Sequence, residues 1–194
     1  MNKEFNFKII LGSASPRRQE LLKALNFDFS VDVINTEESF PENLTGEEIP
    51  LYLSEKKSLA YQHPLSENEI LITSDTIVWH KGAALNKPVD YEDAKKMLTS
   101  LSGEMHKVFT GVCLRSLHWK KSFVDATNVF FKELSDLEIE FYLKNYNAYD
   151  KAGAYGAQDW IGLVAVERIE GSYFNVMGLP VHRLYAELQK INSL

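Results

Sequence analysis

The chain has 194 residues, 45% of them hydrophobic and 25% charged, enough apolar content for a single domain over 1–194 with a buried core. Its net charge of −6 argues against general nucleic-acid binding, which wants a basic face. Apolar runs such as Ile9–Leu11 fall far short of the ~20 residues of a membrane span. A lone cysteine, Cys113, excludes an internal disulfide and a multi-cysteine metal cluster. With no basic-then-apolar leader, a cytoplasmic location is the expectation.

Phe7–Gly12 reads as a short buried strand. Ser15 then stands as an N-cap with Pro16 at the first helical position, ahead of Leu21, Leu22 and Leu25 on one face. Phe27, Phe29, Val31 and Val33 alternate with polar residues, the period of a strand. After a polar loop from Asn35 a second helix begins, either at a Thr45–Glu48 capping box or with Pro50 in its first turn. Both starts leave Lys56 inside it. Ile70–Trp79 is a strand and Lys81-Gly82 a turn. Asp90 caps a helix carrying Ala94, Met97, Leu98 and Leu101, stopped at Gly103. Two strands follow, around His106–Leu117 and Ser122–Phe131, with a turn near Trp119. Ser135 and Glu138 form a capping box ahead of a helix bearing Leu137 and Phe141. Leu163–Ile169 reads as a strand, and Pro180 opens a final helix whose Val181, Leu184, Tyr185, Leu188 and Ile191 keep helical spacing. The pattern is mixed α/β, and strand order is not readable from it.

Ser13-Ala14-Ser15-Pro16-Arg17-Arg18 carries the most chemical information. Arginines in a first helical turn face the positive end of the helix dipole, which is locally unfavourable. An anion on the exposed backbone N–H groups resolves that conflict, and guanidinium forks fit phosphate oxygens. A solvated arginine pair beside a carboxylate is the plainer reading, and local physics leaves the two level. The segment is not a Walker loop, since GxxxxGK[ST] does not occur. Asp75 interrupts an apolar strand, where a carboxylate is costly unless paired, hydrogen-bonded or metal-bound. It is either a strand-end residue bonded to local backbone or, as the apolar setting favours, a general base or Mg²⁺ ligand. Lys56 and Lys87 are weak signals individually, although Pro88 restricts the backbone at Lys87. Asp150–Gln158 sets two glycines among small residues, so that backbone can approach a ligand and an amide can read a base edge. A simple connector is the alternative. The histidines form no ligand set by spacing, and Cys113 reads as core.

Taken together, these segments resemble the Maf family over nearly the whole chain. The matching residues are Ser13–Arg18, Glu55-Lys56, Ser74-Asp75-Thr76, Lys87-Pro88, Leu101-Ser102-Gly103 and Thr110-Gly111-Val112, then Asp150–Gly156, Gly171-Ser172-Tyr173 and Gly178-Leu179-Pro180. The resemblance implies an ITPase-like α/β fold, with a central mixed sheet, flanking helices and two lobes around a cleft, and a homodimer. It implies hydrolysis of nucleoside triphosphates between the α and β phosphates with a divalent metal, Mg²⁺ or Mn²⁺. On that basis Ser13, Arg18, Lys56 and Lys87 hold the triphosphate and Asp75 accepts the proton. Glu38, in the acidic loop, is a candidate with Asp75 for metal or water positioning. The family's specificity positions fall on Arg17, Thr76 and Gln158, as in the branch similar to dTTP and UTP pyrophosphatases. The branch acting on 7-methyl-GTP has tryptophan in place of Arg17. Asn86 and Ala157 depart from the family's usual residues beside Lys87 and Gln158.

The expected reaction is therefore attack of water on the α-phosphorus with pyrophosphate leaving, a reaction that clears unwanted or modified nucleotides. The family also implies a link to cell-division arrest. Two rivals stand beside it: a pyrophosphatase for 7-methyl-GTP or other modified triphosphates, and a non-catalytic nucleotide sensor acting on a division partner. Release of pyrophosphate separates enzyme from sensor. Nucleic acid and membrane are not expected partners.

Overall fold

The computed structural model describes residues 5–191. Its strands are β1 (Lys8–Leu11), β2 (Phe29–Val31), β3 (Glu69–His80), β4 (Ala83–Leu85), β5 (Met105–Arg115), β6 (Lys120–Phe131) and β7 (Val166–Glu170). Its helices are α1 (Pro16–Ala24), α2 (Glu48–Leu59), α3 (Tyr91–Leu101), α4 (Asp136–Asn145), α5 (Trp160–Ala165), α6 (Tyr173–Val176) and α7 (Val181–Ile191). The seven strands form one sheet in the order β2-β1-β3-β5-β6-β7, with β4 paired to β3. β1 runs parallel to β2 and β3, while β3–β4 and β6–β7 are antiparallel. The expected mixed α/β architecture is the one observed. Ile9, Ile10 and Leu11 are all buried, as a parallel strand covered on both faces requires.

Local chemistry sets most of the element ends. α1 starts at Pro16 behind Ser15. The N–H of Asp93 donates to Asp90 Oδ1 at 2.8 Å, capping α3. Ser135 and Glu138 make both bonds of the capping box that opens α4. Thr45 N–H donates to Glu48 Oε2 at 2.9 Å. α2 nevertheless begins at Glu48 behind Glu47, which makes no side-chain cap, so the Thr45–Glu48 pair closes the turn before the helix instead of capping it, and Pro50 falls in the first turn. Lys81 and Gly82 take positive φ, 47° and 82°, and close the two-residue hairpin between β3 and β4.

Two expectations change, for the strand through Phe27–Val33 and the run Leu163–Ile169, and the structure adds the face of α4 and two short elements. The strand through Phe27–Val33 shrinks to three residues in β2, with Val31 and Val33 exposed, because β2 pairs only with β1 at the sheet edge. Leu137 and Phe141 lie on the outer side of α4, whose buried residues are Ile139, Tyr142 and Leu143. The run Leu163–Ile169 is half helix: α5 ends at Ala165, and only then does β7 begin. β4 and α6 are short elements without a strong periodic signal.

The chain divides into two compact units. The first comprises the described residues up to Asp75, Thr110–Asp125 and those from Gly178 onward; the second comprises Thr76–Phe109 and Ala126–Met177. In the first, Leu11, Leu22, Ile49, Leu53 and Ile72 are buried. In the second, Ala94, Leu98 and Leu101 of α3 pack with Ile139 and Tyr142 of α4, Val129, Phe131, Tyr155 and Ile161. Cys113 is buried. Among the described residues, no helix is long and apolar enough to cross a membrane.

Candidate active site

In the first unit, the turn into α1 is built around the buried Ser13. Its Oγ accepts the N–H of Ser15 at 3.2 Å and lies 3.4 Å from an Arg18 guanidinium nitrogen. Arg18 Nε donates to the carbonyl of Gly178 at 2.9 Å. Ser15 makes no side-chain cap and the first turn holds no acidic residue, so the positive end of the helix is reinforced by Arg17 and Arg18. That arrangement suits a phosphate. Arg18 also ties α1 to the segment leading into α7. Arg18→Ala should lower catalytic efficiency about 10- to 100-fold, the value of a charge-assisted hydrogen bond of about 1.5–3 kcal/mol. The lost Gly178 bond should also lower the thermal midpoint. Steady-state kinetics and a melting curve on the same variant check both effects.

The second cluster joins α2 to β3. Thr73 Oγ1 donates to the carbonyl of Ser54 at 2.7 Å, both residues buried. Two residues along a strand return to the same face, and three along a helix stay on one side. The Thr73–Ser54 bond therefore sets Asp75 against Lys57. Lys57 is hydrogen-bonded to Asp75 Oδ1 and lies 3.1 Å from Glu38 Oε1. Its neighbour Lys56 turns to Ser39, donating to the carbonyl at 2.8 Å and to Oγ at 3.0 Å. Two successive lysines thus hold two successive loop residues. Asp75 is 6% exposed. Burial raises its carboxyl above the ordinary carboxylate range; Lys57 and, more weakly, Arg18 pull it back, and Glu38 adds to the rise. A buried carboxylate held on an ammonium and poised to gain a proton has the character of a general base.

The second unit holds Thr76, Lys87 and Gln158. Gly153, at φ 67°, donates its N–H to the carbonyl of Asn86 at 3.2 Å, linking the Lys87 loop to the segment that ends in Gln158. A Cβ at Gly153 would meet the side chain of Val78 at 2.9–3.2 Å, so the glycine lets this segment lie against Val78 of β3. Beyond it, Tyr142 Oη accepts the N–H of Gly156 at 3.2 Å and donates to Asp159 Oδ2 at 3.0 Å. Burial, with Asp159 beside it, pushes the Tyr142 phenol up, so it remains a donor. Lys151 lies 3.4 Å from Asp159 Oδ2, and Gln158 Nε2 donates to Asp159 Oδ1 at 3.3 Å.

The sequence family described as Maf, Maf-like protein, matches residues 8–191. The chain belongs to the Maf family. A dTTP/UTP pyrophosphatase of Bacteroides fragilis is 52% identical over 95% of this chain and 96% of its own length. One of the same name from Christiangramia forsetii is 48% identical over 96% of this chain and 95% of its own length. The Staphylococcus aureus Ham1 protein, 16% identical, matches with a TM-score of 0.52 over 94% of this chain and 98% of that one, a likeness of fold alone.

Within this Maf chain, Ser13, Arg18, Glu38 and Asp75 fall in the first unit with Lys57, which stands one residue after the Lys56 of the family motif. A signal for Lys57 was present. It continues the stripe of Ile49 and Leu53 at four-residue spacing, and α2 buries all three. Asp159 and Tyr142 carried no comparable signal, since their roles depend on a loop folding back.

Proposed function

We propose that the chain is a nucleoside triphosphate pyrophosphatase that converts dTTP and UTP to the monophosphate and pyrophosphate. The observation that carries this reading is buried Asp75 held on Lys57 with Glu38 on the same ammonium, beside a helix start reinforced by Arg17 and Arg18. The names of relatives at about half identity support the substrate class. Ser13, Arg18 and Lys57 hold phosphate oxygens, with Lys56 adding positive charge; the family resemblance assigns Lys87 the same role. Asp75 takes the proton from the attacking water, and the α–β anhydride bond breaks as pyrophosphate leaves. Arg17, Thr76 and Gln158, the specificity positions that the family resemblance implies, are polar residues suited to a pyrimidine edge and poor for a cationic methylated guanine, which an aromatic face serves better.

Among the described residues, no group of three or more His, Cys, Asp or Glu side chains lies together as a metal cage. Asp75 and Glu38 nevertheless converge on one ammonium and fit the habit of Mg²⁺, which takes one or two carboxylates and completes its shell with phosphate and water oxygens. These two residues would hold it. Held there, the ion would neutralise charge on the phosphate oxygens.

Purified protein given UTP or dTTP with Mg²⁺ or Mn²⁺ should release pyrophosphate and the monophosphate. A chelator should stop the reaction and restored metal should restart it. Diphosphate with orthophosphate would remove the α-phosphorus assignment, and binding without turnover would favour a sensor.

A further inference from the structure

The second unit contains a polar device that the reaction does not use, and it ends on Gln158. We propose that Asp159 is a positioning residue that locks the Gln158 amide in one orientation, so that its oxygen is offered to the N3–H of uracil or thymine and cytosine is refused. The inference rests on the reading of Gln158 as the base-facing residue.

The argument is one of donors and acceptors. A glutamine amide has an oxygen that only accepts and a nitrogen that only donates, and rotation by half a turn exchanges them. A freely turning amide can face an N–H or a bare ring nitrogen with nearly equal ease. Uracil and thymine carry N–H at position 3, where cytosine carries an acceptor, so telling them apart requires the amide to be held. An ionised carboxylate only accepts. It therefore takes the nitrogen end of the amide, as seen in the 3.3 Å bond from Gln158 Nε2 to Asp159 Oδ1, and leaves Oε1 to face elsewhere.

Asp159 is itself held. Its other oxygen receives the Tyr142 hydroxyl at 3.0 Å and lies 3.4 Å from the Lys151 ammonium. Tyr142 is fixed in turn by the N–H of Gly156 and is fully buried, at 0% exposure. Lys151 is buried too. Gly156 makes the pairing possible, because a Cβ there would lie 2.5 Å from Asp159 Oδ2 and 2.8 Å from Gln158 Nε2. Absence of a side chain at Gly156 leaves the space in which the carboxylate and amide meet. Gln158 is exposed while its anchor is partly covered, the order expected of a reading group mounted on a rigid support.

The decisive variant is Asp159→Asn. The buried Lys151 and the Tyr142 hydroxyl both donate, so the introduced amide keeps its oxygen toward them and turns its NH₂ toward Gln158. The glutamine then answers with Oε1, which leaves Nε2 facing the base. The readout is the ratio of kcat/KM for UTP to that for CTP, in wild type, Asp159→Asn, Gln158→Ala and the double variant. Wild type should favour UTP, and Gln158→Ala should collapse the ratio. Asp159→Asn should lower it by at least ~10-fold, since a site offering the wrong partner loses the hydrogen bond it was built for. In the Gln158→Ala background Asp159→Asn should change it no further, the non-additivity of a residue that acts through another. Tyr142→Phe removes one of the groups aiming Asp159, and it should shift the ratio in the same direction by less. This second variant decides the matter if Asp159→Asn does not fold.

A collapse in Gln158→Ala with the ratio kept in Asp159→Asn, or in Tyr142→Phe where that variant decides, overturns the positioning role and leaves the base-facing role of Gln158 standing. An equal effect of Asp159→Asn with and without Gln158 also overturns it. A wild type indifferent to UTP and CTP, or a ratio unmoved by Gln158→Ala, overturns both readings together.

Discussion

Asp75→Asn should lower turnover of UTP by about 10²–10⁴-fold, the usual contribution of a positioned general base, while circular dichroism should still report a folded chain. The substitution keeps the size of the side chain and its place on β3, and removes only charge and basicity. The pH profile of the native protein gives the companion result. Burial raises the Asp75 carboxyl, and a general base acts as the carboxylate. Activity should therefore be present above the raised pKa and be lost as pH falls through it, at a higher pH than an exposed aspartate would give. Lys57 is the strongest influence pulling that pKa down, so Lys57→Met should move the acid limb to still higher pH. An acid limb that does not move in Lys57→Met would mean that Lys57 does not govern Asp75. Near wild-type turnover in Asp75→Asn would leave the carboxylate structural.

Residues whose meaning depends on near neighbours in sequence were legible. Pro16 marks a helix start through its fixed φ, and Asp90 and the Ser135–Glu138 pair do so through their capping bonds; each start lies where it is expected. Asp75 was legible because its strand is apolar, so a carboxylate there needs an explanation. For Lys57 the stripe of Ile49 and Leu53 signals only burial; that it meets Asp75 requires the phase of α2 against β3, which the Thr73–Ser54 bond sets across 19 residues. The helix α5 was misread for a similar reason. Its apolar run is too short for period alone to separate helix from strand. The decision comes from the turn at Asp159, whose carbonyl accepts the N–H of Gly162 at 3.0 Å. The outward face of Leu137 and Phe141 follows from which side of α4 meets α3 and the Tyr155 segment, a tertiary choice. The anchoring of Gln158 by Asp159 and Tyr142 likewise appears only once residues 142 and 156–159 share a loop.

Gly111→Ala should be the most destabilising single methyl addition in the first unit. Thr110-Gly111-Val112 is visible in the sequence as a motif, and its physical reason is the close approach of α2 to β5. A Cβ at Gly111 would lie 2.2 Å from the carbonyl oxygen of Pro50, 2.4 Å from its carbonyl carbon and 2.6 Å from the nitrogen of Leu51. All three are backbone atoms in the first turn of α2, so no side-chain rotation relieves the clash and the helix itself must move. Overpacking a core side chain costs about 1–3 kcal/mol; displacing backbone puts this variant at or above the top of that range, about 3 kcal/mol or more. Because α2 carries Lys57 and is bonded to β3 through Ser54, the same movement pulls the ammonium away from Asp75. Activity should therefore fall further than the fraction unfolded accounts for, even well below the melting temperature. Denaturant unfolding together with UTP turnover at low temperature measures the two losses separately. A variant that unfolds early but retains full turnover while folded would show that the seating of α2 on Gly111 serves the fold and not the placement of Lys57.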